Sequence, residues 1–258
     1  MTNNPLDNVC IILVEPVYGG NVGAVARILN NFCLSHLRIV GSIPQKNDFY
    51  LAMHSEQIIT EADLYNSLAE AVQDLDRVIA FSRRVGKQKP IDLNPWNLGE
   101  YFYPQSHLKL GLVFGRETFG LTDAEADLCP LRCRIPANPN FPSLNLAQAV
   151  AVAAWELWSY PMRNAAQSVK GKQIVQSEVK IAEPAISGEE LAAAQTYLKE
   201  VLQEIGFFQD YETTNWDNFL AKMLHQLNPS QEMIYRFRQM FNRIHVLVTG
   251  KGKGYGNH

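Results

Sequence analysis

The sequence predicts an α/β domain with a mainly parallel sheet, followed by a small helical extension. Three observations lead there. Short apolar runs alternate with helical patterns up to about residue 160, the order that builds a parallel sheet with helices on its faces. A polar stretch without periodicity, PMRNAAQSVKGKQIVQSEVKIAEPAIS, then occupies 161–187 and reads as a linker. Three amphipathic stretches close the chain. With 47% hydrophobic and 19% charged residues, the 258-residue chain has the apolar surface for a real core and is not a disordered type.

Taken in order, the strand candidates are 9–14, 37–40, 77–81, 109–114 and 131–135. Between them, 22–32 and 64–75 place apolar residues three and four apart, the helical period. Asn21 stands where an N-cap belongs ahead of the first helix. LAQAVAVAAWELW at 146–158 is apolar nearly all round, so this helix is expected to be buried on more than one side, by the sheet and by a second subunit. The expected organisation is a first domain at 1–160, the linker at 161–187, helices within 188–248 (188–205, 216–227 and 230–248) and a flexible tail at 249–258.

Charge and special residues exclude several classes. The formal net charge of −3 is not that of a generally basic nucleic-acid coat. The chain has no apolar run of membrane-spanning length and no signal-like start, which points to a cytoplasmic protein. Cys10, Cys33, Cys129 and Cys133 lack metal-ligand spacing and lie in apolar segments, so buried reduced thiols are expected and no metal. Basic residues nonetheless cluster twice. RRVGKQK follows the third strand candidate, and from Lys222 to the end six Lys/Arg face one acidic residue, Glu232. Either cluster alone is ordinary solvated charge; two on an acidic protein point to an anionic, nucleic-acid partner.

The glycine turn GGNVG, after the first strand, invites a dinucleotide reading. It lacks the G-x-G-x-x-G spacing, and no acidic residue closes the second strand, so that reading fails. Arg27 is harder to dismiss. It sits among Val22, Val25, Ile28, Leu29 and Phe32 as a buried-looking cation that needs a partner, either a structural carboxylate or a ligand. Two later stretches add polar groups at strand ends, where α/β ligands bind. One is FGRETFGLTD at 114–123; the other is the stiff loop IPANPNFPSLNL at 135–146.

Together N-x-G-x-x-x-R, FGRE-x-x-GL and IP-x-NP-x-x-x-SLNL-x-x-A resemble the three motifs of the TrmH-like branch of the SPOUT superfamily of RNA ribose methyltransferases. The motifs span Glu15 to Trp158. That resemblance implies a SPOUT fold with a deep trefoil knot at the C-terminal end of the first domain, S-adenosylmethionine (SAM) as cofactor, and a homodimer. The length and the helical extension are most similar to the tRNA cytidine/uridine 2′-O-methyltransferases, which implies tRNA as partner and nucleotide 32 of the anticodon loop as target. Ribosomal RNA is the alternative substrate, and a non-catalytic knotted RNA binder the alternative class.

By the same resemblance Arg27, Asn21, Glu117, Ser143 and Asn145 are the catalytic set. The family's arginine is often given the role of general base, but a guanidinium is a poor base, and the alternative expectation is that Arg27 clamps a phosphate and stabilises a developing alkoxide. Glu117 is expected to pair with Arg27 or Arg116, and Asn145 to serve either the site or a helix N-cap. Phe81, Ser82, Gly115, Ile135, Ser143 and Leu144 are implied cofactor contacts. Arg83, Arg84, Lys87, Lys89, Arg116, Arg236 and Arg243 are the expected RNA contacts. Phe141 stands where related sequences often carry a tyrosine, so no phenolic hydroxyl is available there.

Overall fold

The computed structural model describes residues 4–44, 49–83, 91–170, 186–208 and 213–250. The chain divides into two compact units, Met1–Lys180 and Ile181–His258. In the first, six strands form one sheet: β1 (Val9–Val14), β2 (His36–Val40), β3 (Asp63–Tyr65), β4 (Arg77–Phe81), β5 (Leu110–Phe114) and β6 (Leu131–Cys133). Their order is β3-β2-β1-β5-β4-β6, with every neighbouring pair parallel. β1 and β5 are buried along their whole length. This is why VCIILV and LGLVF read as continuous apolar runs rather than alternating ones.

Helices cover both faces: α1 (Gly19–Asn31), α2 (Glu56–Thr60), α3 (Leu68–Val72), α4 (Leu98–Phe102), α5 (Asp123–Asp127) and α6 (Leu146–Lys170). Alternate residues of β1 serve opposite faces, as the two-residue strand period requires. Ile11 and Leu13 pack in one core cluster with Val25 and Leu29 of α1, Phe102 of α4, and Val150 and Leu157 of α6. Ile12 and Val14 pack in another with Leu68 of α3 and Ala126 of α5. Each such aliphatic side chain contributes roughly 1.5–3 kcal/mol on full burial. Gly23 lets α1 lie close on the turn at 49–52: a Cβ there would stand 3.0 Å from the Phe49 carbonyl oxygen and 3.1 Å from the Ala52 nitrogen.

Three expectations need correction. The 64–75 stretch is not one helix. Leu64 and Tyr65 pair with Ile39 and Val40 at the sheet edge, and Ser67 then caps the short α3 through its hydroxyl. Helix α1 begins at Gly19, so Asn21 is its third residue and not its N-cap. Helix α6 does not stop before Pro161 but runs on to Lys170, so 161–170 is helical and not linker. Proline at 161 has no N–H for the carbonyl of Leu157 four residues back. The Tyr103 hydroxyl donates to that carbonyl instead, at 3.0 Å. Most of the remaining linker and tail, 171–185 and 251–258, lies outside the described residues.

Burial pushes the Cys10, Cys129 and Cys133 thiols up to about 12. Cys33, expected to be buried, is exposed instead. No helix among the described residues is long and apolar enough to cross a membrane, and no metal-holding cluster occurs among them.

The second unit packs α7 (Gly188–Glu204), α8 (Thr213–Leu227) and α9 (Gln231–Thr249) around Leu191, Leu198, Leu220, Leu224 and Ile234. Ser187 and Glu190 form a reciprocal capping box at the start of α7, and Gly250, at φ 71°, ends α9 in the left-handed conformation. The His245 ring meets the Glu204 carboxylate at 2.7 Å.

Candidate active site

All six strands point their C-terminal ends the same way, and the loops leaving β4, β5 and β6 enclose a pocket there. Phe81 and Phe114, the last residues of β4 and β5, stand in register and stack at 4.4 Å between ring centroids. Each of the six expected cofactor contacts, Phe81, Ser82, Gly115, Ile135, Ser143 and Leu144, lines this pocket. The loop after β5 folds back on itself. The Arg116 N–H donates to the Gly120 carbonyl at 3.2 Å, and the Gly120 N–H returns a bond to Arg116 at 2.9 Å. That closure leaves no room for a side chain at 115, where a Cβ would lie 2.3 Å from the Gly120 carbonyl carbon and the Leu121 nitrogen.

Three residues from distant parts of the chain meet beside the pocket. The Asn145 amide donates to the Asn21 side-chain oxygen at 2.8 Å. The Asn21 amide donates in turn to Glu117 Oε1 at 2.8 Å. Glu117 also accepts from the backbone N–H groups of Val17 (2.9 Å) and Tyr18 (3.3 Å). At the far end, Asn145 Oδ1 accepts from the Ala147 and Gln148 N–H groups at the start of α6. The relay has one direction. Helix N–H groups can only donate and an ionised carboxylate can only accept, so both amide orientations between them are fixed.

The relay settles two open points. Asn145 caps α6 and joins the relay as well, with its oxygen on the helix and its amide on Asn21. Glu117 pairs with neither Arg27 nor Arg116. Its carboxylate lies at the entry to α1, a helix with no acidic residue in its own first turn and no side-chain cap from Tyr18. A negative charge at that end is favourable to the helix dipole.

The two arginines differ from expectation in their exposure. Arg116, expected to touch RNA, is buried and already committed. It meets Glu15 at 2.8 Å and Glu125 at 2.8 and 2.9 Å, and these pairs hold both carboxyls below their ordinary range, although burial of Glu125 opposes it. Neither acid was singled out by sequence. The signals for them were a strand-end arginine needing counter-charge and the Thr-x-x-Glu capping pattern at Thr122–Glu125. Arg27, expected to be buried, is exposed and makes no hydrogen bond or ion pair among the described residues. It lies six residues past Asn21, about 9 Å along the helix axis.

Arg83 is exposed and lines the pocket; Arg84, Lys87 and Lys89 lie outside the described residues. Arg243 is exposed on α9, and Arg236, also exposed, pairs with Glu232 one turn back. Ser143 is exposed at the pocket, and Phe141, two residues earlier, is 78% exposed.

The sequence profile of the SpoU rRNA Methylase family matches residues 8–155, from the start of the sheet through most of the apolar part of α6. The tRNA (cytidine-2′-O-)-methyltransferase TrmJ of Methanocaldococcus jannaschii is 39% identical over 161 residues, covering 60% of this chain and 70% of the relative. The tRNA (cytidine/uridine-2′-O-)-methyltransferase TrmJ of Klebsiella pneumoniae is 29% identical and covers 95% of this chain and all of its own. Among solved structures, TrmJ from Z. mobilis superposes with a TM-score of 0.63 at 28% identity, over 91% of this chain and 98% of that one.

Proposed function

The chain belongs to the SpoU rRNA Methylase family, and from that membership we propose that it is a SAM-dependent tRNA ribose 2′-O-methyltransferase acting on cytidine or uridine at nucleotide 32 of the anticodon loop. The observation that carries the proposal is the Asn145–Asn21–Glu117 relay. It gathers the three separate motifs at one edge of a pocket at the strand ends. The activity named for the TrmJ of Klebsiella pneumoniae, similar over nearly the whole chain, supplies the substrate class.

The pocket suits SAM. Stacked Phe81 and Phe114, with Ile135 and Leu144, offer apolar walls for an adenosine, and Ser82, Ser143 and the backbone around Gly115 offer polar contacts. A trefoil knot at this end of the sheet is part of the same reading. Bound SAM supplies an activated methyl group on a sulfonium. What the protein adds is position and charge. Arg27, free of any intramolecular partner among the described residues, clamps the RNA phosphate beside the target ribose and stabilises charge developing on the 2′-oxygen. Asn21 and Glu117 fix the start of the helix that carries it. Ser143 and Asn145 border the transfer point.

Arg83 and Arg243, with Arg84, Lys87, Lys89 and Arg236, grip the RNA backbone, so binding weakens steeply with salt. The enzyme works as a homodimer in the cytoplasm. Trp155, 48% exposed on α6, fits an interface between copies. The test is methyl transfer from SAM into unmodified tRNA and, separately, ribosomal RNA, with the product located by mass spectrometry. A mark at one anticodon-loop ribose supports the proposal. Transfer confined to ribosomal RNA, the substrate in the family's own name, keeps the chemistry and overturns the substrate.

A further inference from the structure

Arg116 has no free face with which to bind a ligand. Its Nε and Nη2 meet the two oxygens of Glu15, both at 2.8 Å. Its Nη1 and Nη2 meet the two oxygens of Glu125 at 2.8 and 2.9 Å, and Nη1 also reaches the Gly120 carbonyl at 3.5 Å. The guanidinium lies over the Phe119 ring, 5.0 Å from its centroid. Two bidentate carboxylates saturate a planar fork that has five N–H groups to offer.

The acids come from opposite sides. Glu125 belongs to α5 and is fixed by the Thr122 cap, its carboxylate accepting the Thr122 N–H at 2.7 Å. Glu15 follows β1 with φ at 44°, uncommon for a residue with a side chain. Its N–H is held by the Val40 carbonyl at 2.9 Å. Its side chain passes over Gly41, where a Cβ would come within 3.0 Å of Glu15 Cγ. The next residue along, Glu117, reaches the same segment at Val17, Tyr18 and Asn21. Neighbouring side chains of the pocket loop therefore hold the 15–21 segment at two points. A loop held at two points cannot rock about either.

We propose that Arg116, gripping Glu15 with one edge and Glu125 with the other, is a positioning residue that fixes the cofactor-pocket loop against the start of α1 and so sets the place of Arg27 relative to the methyl donor. The proposal rests on the methyl-transfer reading above. It assigns the two acids separable effects. Glu125 holds the loop that forms the pocket wall, whereas Glu15 only ties that loop to β1 and α1. Removing Glu15 leaves the Arg116–Glu125 pair and the Gly120 contact in place. The pocket stays formed while its alignment with α1 loosens.

The experiment compares wild type, Glu15→Ala, Glu15→Gln and Arg116→Lys for kcat at saturating SAM and RNA, for SAM Kd by calorimetry, and for Tm. The Glu15 side chain is 57% exposed, so its variants are expected to fold. Glu15→Ala should lower kcat by roughly 10- to 100-fold, the scale of a small misplacement in a positioned reaction, with SAM Kd within about twofold of wild type on the same argument. Glu15→Gln, which keeps an acceptor for the guanidinium, should recover a substantial part of the rate. Arg116→Lys should lose rate as well, because an ammonium cannot serve two carboxylates edge-on. An unchanged kcat in Glu15→Ala, a loss confined to SAM affinity, or full activity in Arg116→Lys would each overturn the inference. A wild-type protein that transfers no methyl group to any RNA would instead sink the functional reading.

Discussion

Two arginines in the first unit make opposite use of the same side chain. Arg116, at the end of β5, is closed in by Glu15 and Glu125 and is nearly inaccessible. Arg27, on the outer surface of α1, has nothing paired with it among the described residues. An arginine whose hydrogen bonds are all made inside the protein shapes the fold. One held on a rigid helix with its donors open is ready for an external anion. The relay through Asn21 and Glu117 joins the two regions, since it anchors the helix of the free arginine to the loop of the saturated one.

The largest expected effect tests that contrast at its open end. Arg27→Ala should cut kcat by 10²-fold or more, the usual cost of removing a donor to developing negative charge. SAM affinity and Tm should stay near wild type, because no intramolecular contact is lost. Lost SAM binding in this variant would show that Arg27 belongs to the pocket and would erase the contrast. Gly115→Ala tests the closed end. The added methyl meets backbone and not a flexible side-chain tip, so the loop must shift, at a cost of about 1–3 kcal/mol. SAM Kd should rise at least tenfold if the displaced loop is the pocket wall. Normal affinity would place the cofactor elsewhere.

Glu117→Gln is the intermediate case. The amide oxygen can still accept on one side but no longer supplies charge at the start of α1, and the NH2 now faces a donor on the other. Stability should fall by about 1 kcal/mol, and kcat should fall by more than SAM affinity does. An equal fall in both would make Glu117 a pocket residue alone.

Much of this was legible in the sequence, and the failures have a common physical cause. The apolar runs of β1 and β4 gave their bounds correctly, because burial on both faces leaves a continuous signal. All six expected cofactor residues line one pocket: Phe81, Ser82, Gly115 and Ile135 lie at or just past strand ends that a parallel sheet aligns, and Ser143 and Leu144 lie in the loop that leads into α6. What could not be read was which partner each polar side chain finds. Glu15 and Arg116 are 101 residues apart, and Asn21 and Asn145 are 124 apart, with no local pattern linking either pair. Arg27 looked buried because its sequence neighbours are apolar, yet a helix turns every residue by 100°, and that position faces solvent. Proline at 161 ends a helix by local rules. Here the Tyr103 hydroxyl, from another element, accounts for the orphaned carbonyl.

The smallest expected effect concerns acid. Glu15 is held below its ordinary 4.5 chiefly by the Arg116 hydrogen bond. For Glu125, burial works upward, but the Arg116 and Thr122 hydrogen bonds outweigh it and the net shift is also downward. Around pH 4 the folded chain therefore binds fewer protons at these sites than the unfolded chain does, so their stabilisation grows as pH rises. It is complete above the unfolded value of about 4.5 and is lost as the pH falls through the lower folded values. Across the neutral range the clamp contributes no pH dependence. The check is a pair of melting curves, wild type against Glu125→Gln, from pH 3 to pH 8. Their Tm difference should be constant above about pH 5.5 and shrink below 4.5. A difference that instead shrinks toward alkaline pH would mean that the carboxylates are not the charged partners of Arg116, and the closed half of the comparison would fall with it.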